Sequence, residues 1–140
     1  MILLDTSGLI AALSSRQRLH AAAAEALRGA EPPRFLSPFV LAEIDYLLLK
    51  LAGVDAEARF LDEVARRAYE VVSFDHDDVA RAAAIIRKHS DLGIGLADAS
   101  IVVLAERYGI RDVLTLDERH FRVLRPGPRK SFRILPADRS

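Results

Sequence analysis

Apolar positions fall into short unbroken runs that alternate with longer stretches of helical spacing. Residues 1–5 form such a run, Met1-Ile2-Leu3-Leu4, ending in Asp5, and predict a buried strand. Thr6 and Ser7 offer caps for a helix from Gly8 to about Leu13. His20 to Arg28 is alanine-rich and helical, stopped by Gly29 and the Pro32-Pro33 pair. Arg34 to Leu36 is a short second strand. Ser37-Pro38 places a capping hydroxyl before a proline at the first helical position, and that helix runs to about Ala52, where Gly53 ends it. Asp55 caps a further helix to about Ala68, and Tyr69 to Phe74 is a third strand. Asp75 caps a helix to about His89. A loop from Ser90 to Gly95 leads into a helix from Leu96 to Tyr108, closed by Gly109. Val113 to Leu116 and Phe132 to Leu135 are the fourth and fifth strands. Strands that are apolar on both faces and alternate with helices predict an α/β fold, a parallel sheet of about five strands covered by helices.

Composition narrows the class. At 140 residues the chain is expected to be one domain, residues 1–140, able to bury roughly two-thirds of its unfolded surface without staples. It has no cysteine, which excludes disulfides and thiolate metal sites and suits a reducing compartment. The N-terminus lacks a basic segment and a long apolar stretch, so no signal peptide is read there, and a cytoplasmic location is expected. The longest apolar region, Phe39 to Leu51, is broken by Glu43, Asp45 and Lys50 and is too short to span a bilayer. Net charge is zero but unevenly spread: residues 1–118 carry 13 Lys and Arg against 19 Asp and Glu, and residues 119–140 carry 7 against 1. An acidic body with a basic final segment suits a site that holds cations beside a rim that meets phosphates, though it equally describes a solvated tail.

Ligands of open parallel sheets bind beyond the carboxyl ends of the strands. Asp5 stands at that end of the first strand and Asp117 just beyond the fourth. Each alone could equally be a helix cap. Glu43 has Phe39, Val40, Tyr46 and Leu47 at helical spacing, so it is expected on or beside the apolar stripe of a largely buried helix, with Lys50 as its alternative ion-pair partner. Asp98 follows Gly95-Leu96-Ala97 in the first turn of a very apolar helix, where helix-dipole compensation would also place an acid. Carboxylates ~5 Å apart repel by about 3 kcal/mol at an effective dielectric of ~20. Four in one crevice therefore call for a cation, and hard oxygen ligands without cysteine select Mg²⁺, with Mn²⁺ as a substitute, over Zn²⁺. Such a site suits phosphodiester hydrolysis.

The runs Ile2-Leu3-Leu4-Asp5-Thr6-Ser7, Ser37 to Glu43, Gly95 to Ala99 and Leu114 to Phe121 stand in the order found in PIN-domain proteins, and the chain resembles most the VapC toxins of bacterial toxin–antitoxin pairs. The resemblance covers essentially the whole chain. It implies a three-layer α/β/α fold, a Mg²⁺- or Mn²⁺-dependent endoribonuclease acting on RNA, a homodimer, and a VapB-like antitoxin whose C-terminal segment blocks the acidic site. It carries the acidic positions onto Asp5, Glu43, Asp98 and Asp117, the hydroxyl beside the last acid onto Thr115, and the small polar positions onto Thr6 and Ser7. Arg119, His120 and Arg122 flank the last acid and are candidates for holding RNA, with Arg125, Arg129 and Lys130 further along the backbone track.

Other polar groups carry no site at this stage. Asp75-His76-Asp77-Asp78 opens a helix, where acids cap and complement the dipole. His20 and His89 are lone histidines near helix ends. Two rival functions use similar residues. A receiver-like phosphoacceptor domain needs an adjacent acidic pair after the first strand and a lysine after the last; here Asp5 follows Leu4, and Arg133 is the only basic residue in the final strand. A non-catalytic binding module on the same fold would not need the full acidic set.

Overall fold

A computed structural model describes residues 1–139. Its five strands are β1 (Ile2–Leu4), β2 (Arg34–Leu36), β3 (Glu70–Val71), β4 (Asp112–Leu114) and β5 (Arg133–Leu135). They form one sheet in the order β3-β2-β1-β4-β5, and all four pairings are parallel. Seven helices connect them: α1 (Thr6–Leu13), α2 (His20–Gly29), α3 (Pro38–Ala52), α4 (Val54–Ala65), α5 (His76–Lys88), α6 (Leu96–Tyr108) and α7 (Glu118–Phe121). The chain builds outward from β1 to β3 and then returns to lay β4 on the other side of β1. Right-handed crossovers then put α1–α4 on one face and α5–α6 on the other. Within each face α1 lies against α2 and α3, α3 against α4, and α5 against α6; α3 also meets α6 where both helices begin at the end of the sheet. The result is the expected α/β/α arrangement.

Ile2, Leu3, Leu4, Leu36, Val113, Leu114 and Ile134 are at most 1% exposed, as strands covered on both faces require. Ile44, Ile101 and Leu104 close over them. Strand order reverses between β1 and β4, where Leu4 pairs with Leu114. That reversal opens a crevice at the carboxyl ends of these two strands.

Some expected boundaries shift for local reasons. The third strand is shorter than Tyr69 to Phe74. Beyond Val71 the edge makes one more backbone bond, Val72 N–H to Leu36, and Phe74 turns to pack edge-on against Phe39. The fourth strand stops at Leu114, leaving Thr115 and Leu116 beyond it. Asp55 is not a cap: α4 starts at Val54 because Gly53 takes φ 89° immediately before it, and Asp55 falls in the first turn. Asp75 does cap α5, in a reciprocal capping box with Asp78. Among the described residues, no helix is long and apolar enough to cross a membrane.

Candidate active site

The site grows from the reversal point of the sheet. Asp5 follows β1 and occupies the N-cap position of α1, yet its side chain makes no capping bond. The carboxylate turns instead toward β4. Its Oδ2 accepts hydrogen bonds from Thr115 Oγ1 at 2.6 Å and Ser7 Oγ at 3.0 Å. Thr115 in turn accepts from the Asp117 N–H at 2.9 Å, and Ser7 from the Leu116 N–H at 2.9 Å. Two hydroxyls thus tie the end of β1 to the turn after β4 and fix Asp5 between them. Close approach of α1 to β4 permits this, because a Cβ on Gly8 would lie 2.3 Å from the Leu114 carbonyl oxygen.

Glu43 and Asp98 come from opposite faces of the sheet. Ser37 caps α3 through the Phe39 N–H and also lies 2.7 Å from Ser100 Oγ on α6. Ser100 donates to the Ala97 carbonyl, so this buried pair joins the start of α3 to the first turn of α6. The two helices then direct Asp98 toward Asp5 and Glu43 toward Thr6. Glu43 accepts from Thr6 Oγ1 at 2.5 Å. It is exposed, contrary to the expectation of a largely buried helix: only Val40, Ile44 and Leu48 of α3 are buried. Glu43 flanks that narrow stripe and reaches over the helix toward α1. Lys50 does not pair with it; its Nζ lies over the Tyr46 ring, 5.9 Å from the centroid.

Asp117 does cap α7, accepting the His120 N–H at 3.0 Å through Oδ1. Its other oxygen, Oδ2, lies 2.8 Å from His120 Nδ1, and Asp98 Oδ2 lies 3.0 Å from the same nitrogen. Of these two contacts, the one to Asp98 is a hydrogen bond, and the imidazole stands beside both carboxylates. Asp98, Asp117 and His120 present ligand atoms all within 4.8 Å of one another.

The acids feel each other. Burial raises the Asp5 carboxyl from 3.8 to about 6; the charge of Asp98 adds to the rise, and the bonds from Thr115 and Ser7 oppose it. Asp98 is raised chiefly by burial; the charges of Asp117 and Glu43 add to this, and His120 opposes it. Asp98 is the hub: repulsion links it to Asp5, Asp117 and Glu43, with the His120 imidazole beside it. Such an oxygen-rich set fits a hard divalent cation.

Of the residues expected to meet RNA, Arg119 is exposed one position from His120. Arg122 is held by Glu118 at 2.8 Å and Asp138 at 2.6 Å. His120 points into the acidic set rather than outward. That membership was not visible in the sequence, where 22 positions separate His120 from Asp98; its only signal was its place three residues after Asp117. The Ser37–Ser100 pair was equally hidden, 63 positions apart.

A family model described as PIN domain matches residues 2–125. The chain is 42% identical over 135 residues to Ribonuclease VapC26 of Mycobacterium tuberculosis, covering 96% of this chain and 100% of that one. Its fold is similar to the crystal structure of Mycobacterium tuberculosis VapC20, a Sarcin-Ricin loop cleaving toxin, with a TM-score of 0.77 over 84% of this chain and 90% of that one, at 21% identity.

Proposed function

Because the chain belongs to the PIN domain family, we propose that it is a metal-dependent endoribonuclease, the VapC-type toxin of a bacterial toxin–antitoxin pair. Asp5, Glu43, Asp98 and Asp117 would hold one or two Mg²⁺ ions, with Mn²⁺ as a substitute. When bound, the cation lowers the pKa of water and offsets negative charge on the scissile phosphate. The observation that carries this reading is the buried Asp5 carboxyl. It lies at the reversal of the sheet, raised to about 6 chiefly by burial and further by the charge of Asp98, itself a raised carboxyl. A fold that places unbalanced acids together at a ligand-binding crevice gains by holding a cation there.

The chain's own side chains prepare the site. Thr115 and Ser7 orient Asp5, and Thr6 orients Glu43. His120 stands beside Asp98 and Asp117, hydrogen-bonded to the first through its ring and to the second through its main-chain N–H, and so holds both carboxylates in place. Arg119, exposed one position from His120, would meet a phosphate, and Arg122 braces the same turn through Glu118 and Asp138. Cleavage would leave a 5′-phosphate and a 3′-hydroxyl. The partners in this reading are an RNA substrate, a second copy of the chain, and a VapB-like antitoxin. An open apolar cleft of about 380 Å³, lined by Thr6, Ala42, Glu43, Tyr46 and Leu47, adjoins the acids and supports a peptide partner at that side.

The test is cleavage of total RNA by purified protein with Mg²⁺, with EDTA, and with Asp98→Asn. Discrete fragments that need the metal and disappear in the folded variant are expected. A folded wild type that neither cleaves RNA nor binds a divalent cation would point instead to a non-catalytic binding module.

A further inference from the structure

Away from the acids, α5 and α6 and the turn after α7 enclose a cleft of about 410 Å³ whose rim is strongly basic. On α5, Arg81, Ile85 and Lys88 fall at i, i+4 and i+7 and so share one face. On α6, Val102 and Glu106 face them. The third wall is the turn 125–129, which contributes Arg125 and Arg129; Arg129 adopts φ 59°, and the Lys130 N–H closes the turn onto the Gly127 carbonyl. The floor, Ile85 and Val102, is buried and apolar. Four permanent cations and His89 thus surround a single acid, Glu106, in a chain of zero net charge. Glu106 is already taken by Arg81 at 3.0 Å, and Arg125 is held by Ser131. Among the described residues, Lys88 and Arg129 have no ion-pair partner.

The cleft is also aimed. Asp98, Val102 and Glu106 are spaced i, i+4, i+8 along α6, so the face that carries the acid also lines the cleft. From Asp98 to Val102 is one turn, about 6 Å of rise. His120, which touches Asp98, leads through α7 into Arg125, its neighbouring backbone fixed by the Val123 and Leu124 N–H bonds to the His120 carbonyl. Both the helix and the chain that line the cleft thus also carry the acidic centre. An apolar floor between basic rims suits a single-stranded polyanion, with phosphates on the rims and unpaired bases over the floor.

We propose that this cleft is an RNA-backbone subsite, holding the single strand that flanks the scissile phosphate through Lys88 and Arg129 in particular. The inference rests on the ribonuclease reading for its direction but adds a surface, the α5 side of the molecule, that the acidic set does not require. A compact acidic centre repels its own substrate, and a basic subsite along the same helix offsets that repulsion without neutralising the acids.

The experiment compares wild type, Lys88→Ala/Arg129→Ala, and a control, Arg66→Ala/Arg67→Ala, placed after α4. Each is assayed for KM on a cleavable single-stranded RNA. Each is also assayed, in an Asp98→Asn background, for affinity to the same RNA across a salt series. The double variant should raise KM and Kd about tenfold and reduce the slope of log K against log salt by about 1.4, the loss of two single-strand phosphate contacts. The control should move neither, and unfolding midpoints should match because all four side chains are exposed. An unchanged slope and Kd in the double variant, with wild-type cleavage intact, would discard the subsite and leave the ribonuclease standing. Absent metal-dependent cleavage by wild type would remove the ribonuclease reading, and the binding series on uncleaved RNA would still decide the cleft.

Discussion

At Asp5 the stability of the fold and the proposed activity pull in opposite directions. It is 5% exposed, and burial raises its carboxyl from 3.8 to about 6. That rise corresponds to about 3 kcal/mol of preference for the neutral form in the folded chain. The stabilisation is fully present below about pH 4 and is lost as pH rises through about 6, so at neutral pH the ionised group strains the metal-free fold. Asp5→Asn keeps an oxygen to accept from Thr115 and Ser7 and removes the buried charge. In urea unfolding without metal, the variant should exceed wild type by up to about 3 kcal/mol at pH 8 and match it at pH 4, while losing RNA cleavage. Equal stability at pH 8 would show that the charge is not strained there. Thr115 acts through its neighbours, donating to Asp5 and accepting from the Asp117 N–H. Thr115→Val keeps the shape but removes both bonds; cleavage should fall about 10–100-fold, as it does when groups behind metal ligands are lost. The apparent Mg²⁺ requirement should rise with it, whereas a purely structural role would lower the amount of folded protein without moving that requirement.

At the scale of elements, the site depends on how closely α1 approaches β4. A Cβ on Gly8 would meet the Leu114 carbonyl oxygen at 2.3 Å and carbon at 2.4 Å, both main-chain atoms at the end of an interior strand, the oxygen bonded to the Asp5 N–H, that cannot turn aside. Gly8→Ala should therefore cost about 2–3 kcal/mol, seen as a lowered thermal midpoint. The folded fraction should also lose activity, because α1 carries Thr6 and Ser7. A midpoint unchanged from wild type would mean the helix and strand have room to separate. Local chemistry made most elements readable beforehand. Ser37-Pro38 opens α3, Asp75 opens α5, and Gly53 and Gly109 close the helices before them. The strand runs at Ile2, Phe35 and Val113 were readable because full burial leaves them no polar face. What stayed hidden depended on packing. Phe74 sits in an apolar run but leaves the sheet edge for Phe39. Glu43 lies on a helix with many apolar residues, of which Tyr46, Leu49 and Leu51 remain exposed. Asp5 and Asp117 were legible because each follows a strand end, Asp98 because it opens a helix, and Glu43 only through the run Ser37 to Glu43 that leads to it. His120 was not, because its partner Asp98 reaches it only after α6 and β4 have packed.

For the whole molecule, charge is balanced in number but separated in space. Acids meet at the sheet reversal, while Lys88, Arg125 and Arg129 border the cleft beyond α6. Among the described residues, the acidic centre holds one imidazole and no arginine or lysine bridged to Asp5, Glu43, Asp98 or Asp117. Each pair of carboxylates at ~5 Å costs about 3 kcal/mol at an effective dielectric of ~20. A divalent cation that binds only the folded chain relieves this repulsion and must raise global stability by mass action. The gain is about 1.4 kcal/mol at ten times its dissociation constant and about 2.7 kcal/mol at a hundred times. For a chain of this length that is a rise of about 4–10 °C in the unfolding midpoint. The rise should occur with Mg²⁺ and Mn²⁺, reverse with EDTA, and be absent with NaCl of equal ionic strength, which only screens exposed charges. Asp98→Asn, which removes the carboxylate shared with His120, should abolish most of it. Because the readout is unfolding, it needs no substrate and separates cation binding from catalysis. A wild type whose midpoint ignores divalent cations would mean that His120 alone balances the acids, and the proposed chemistry would lose its metal.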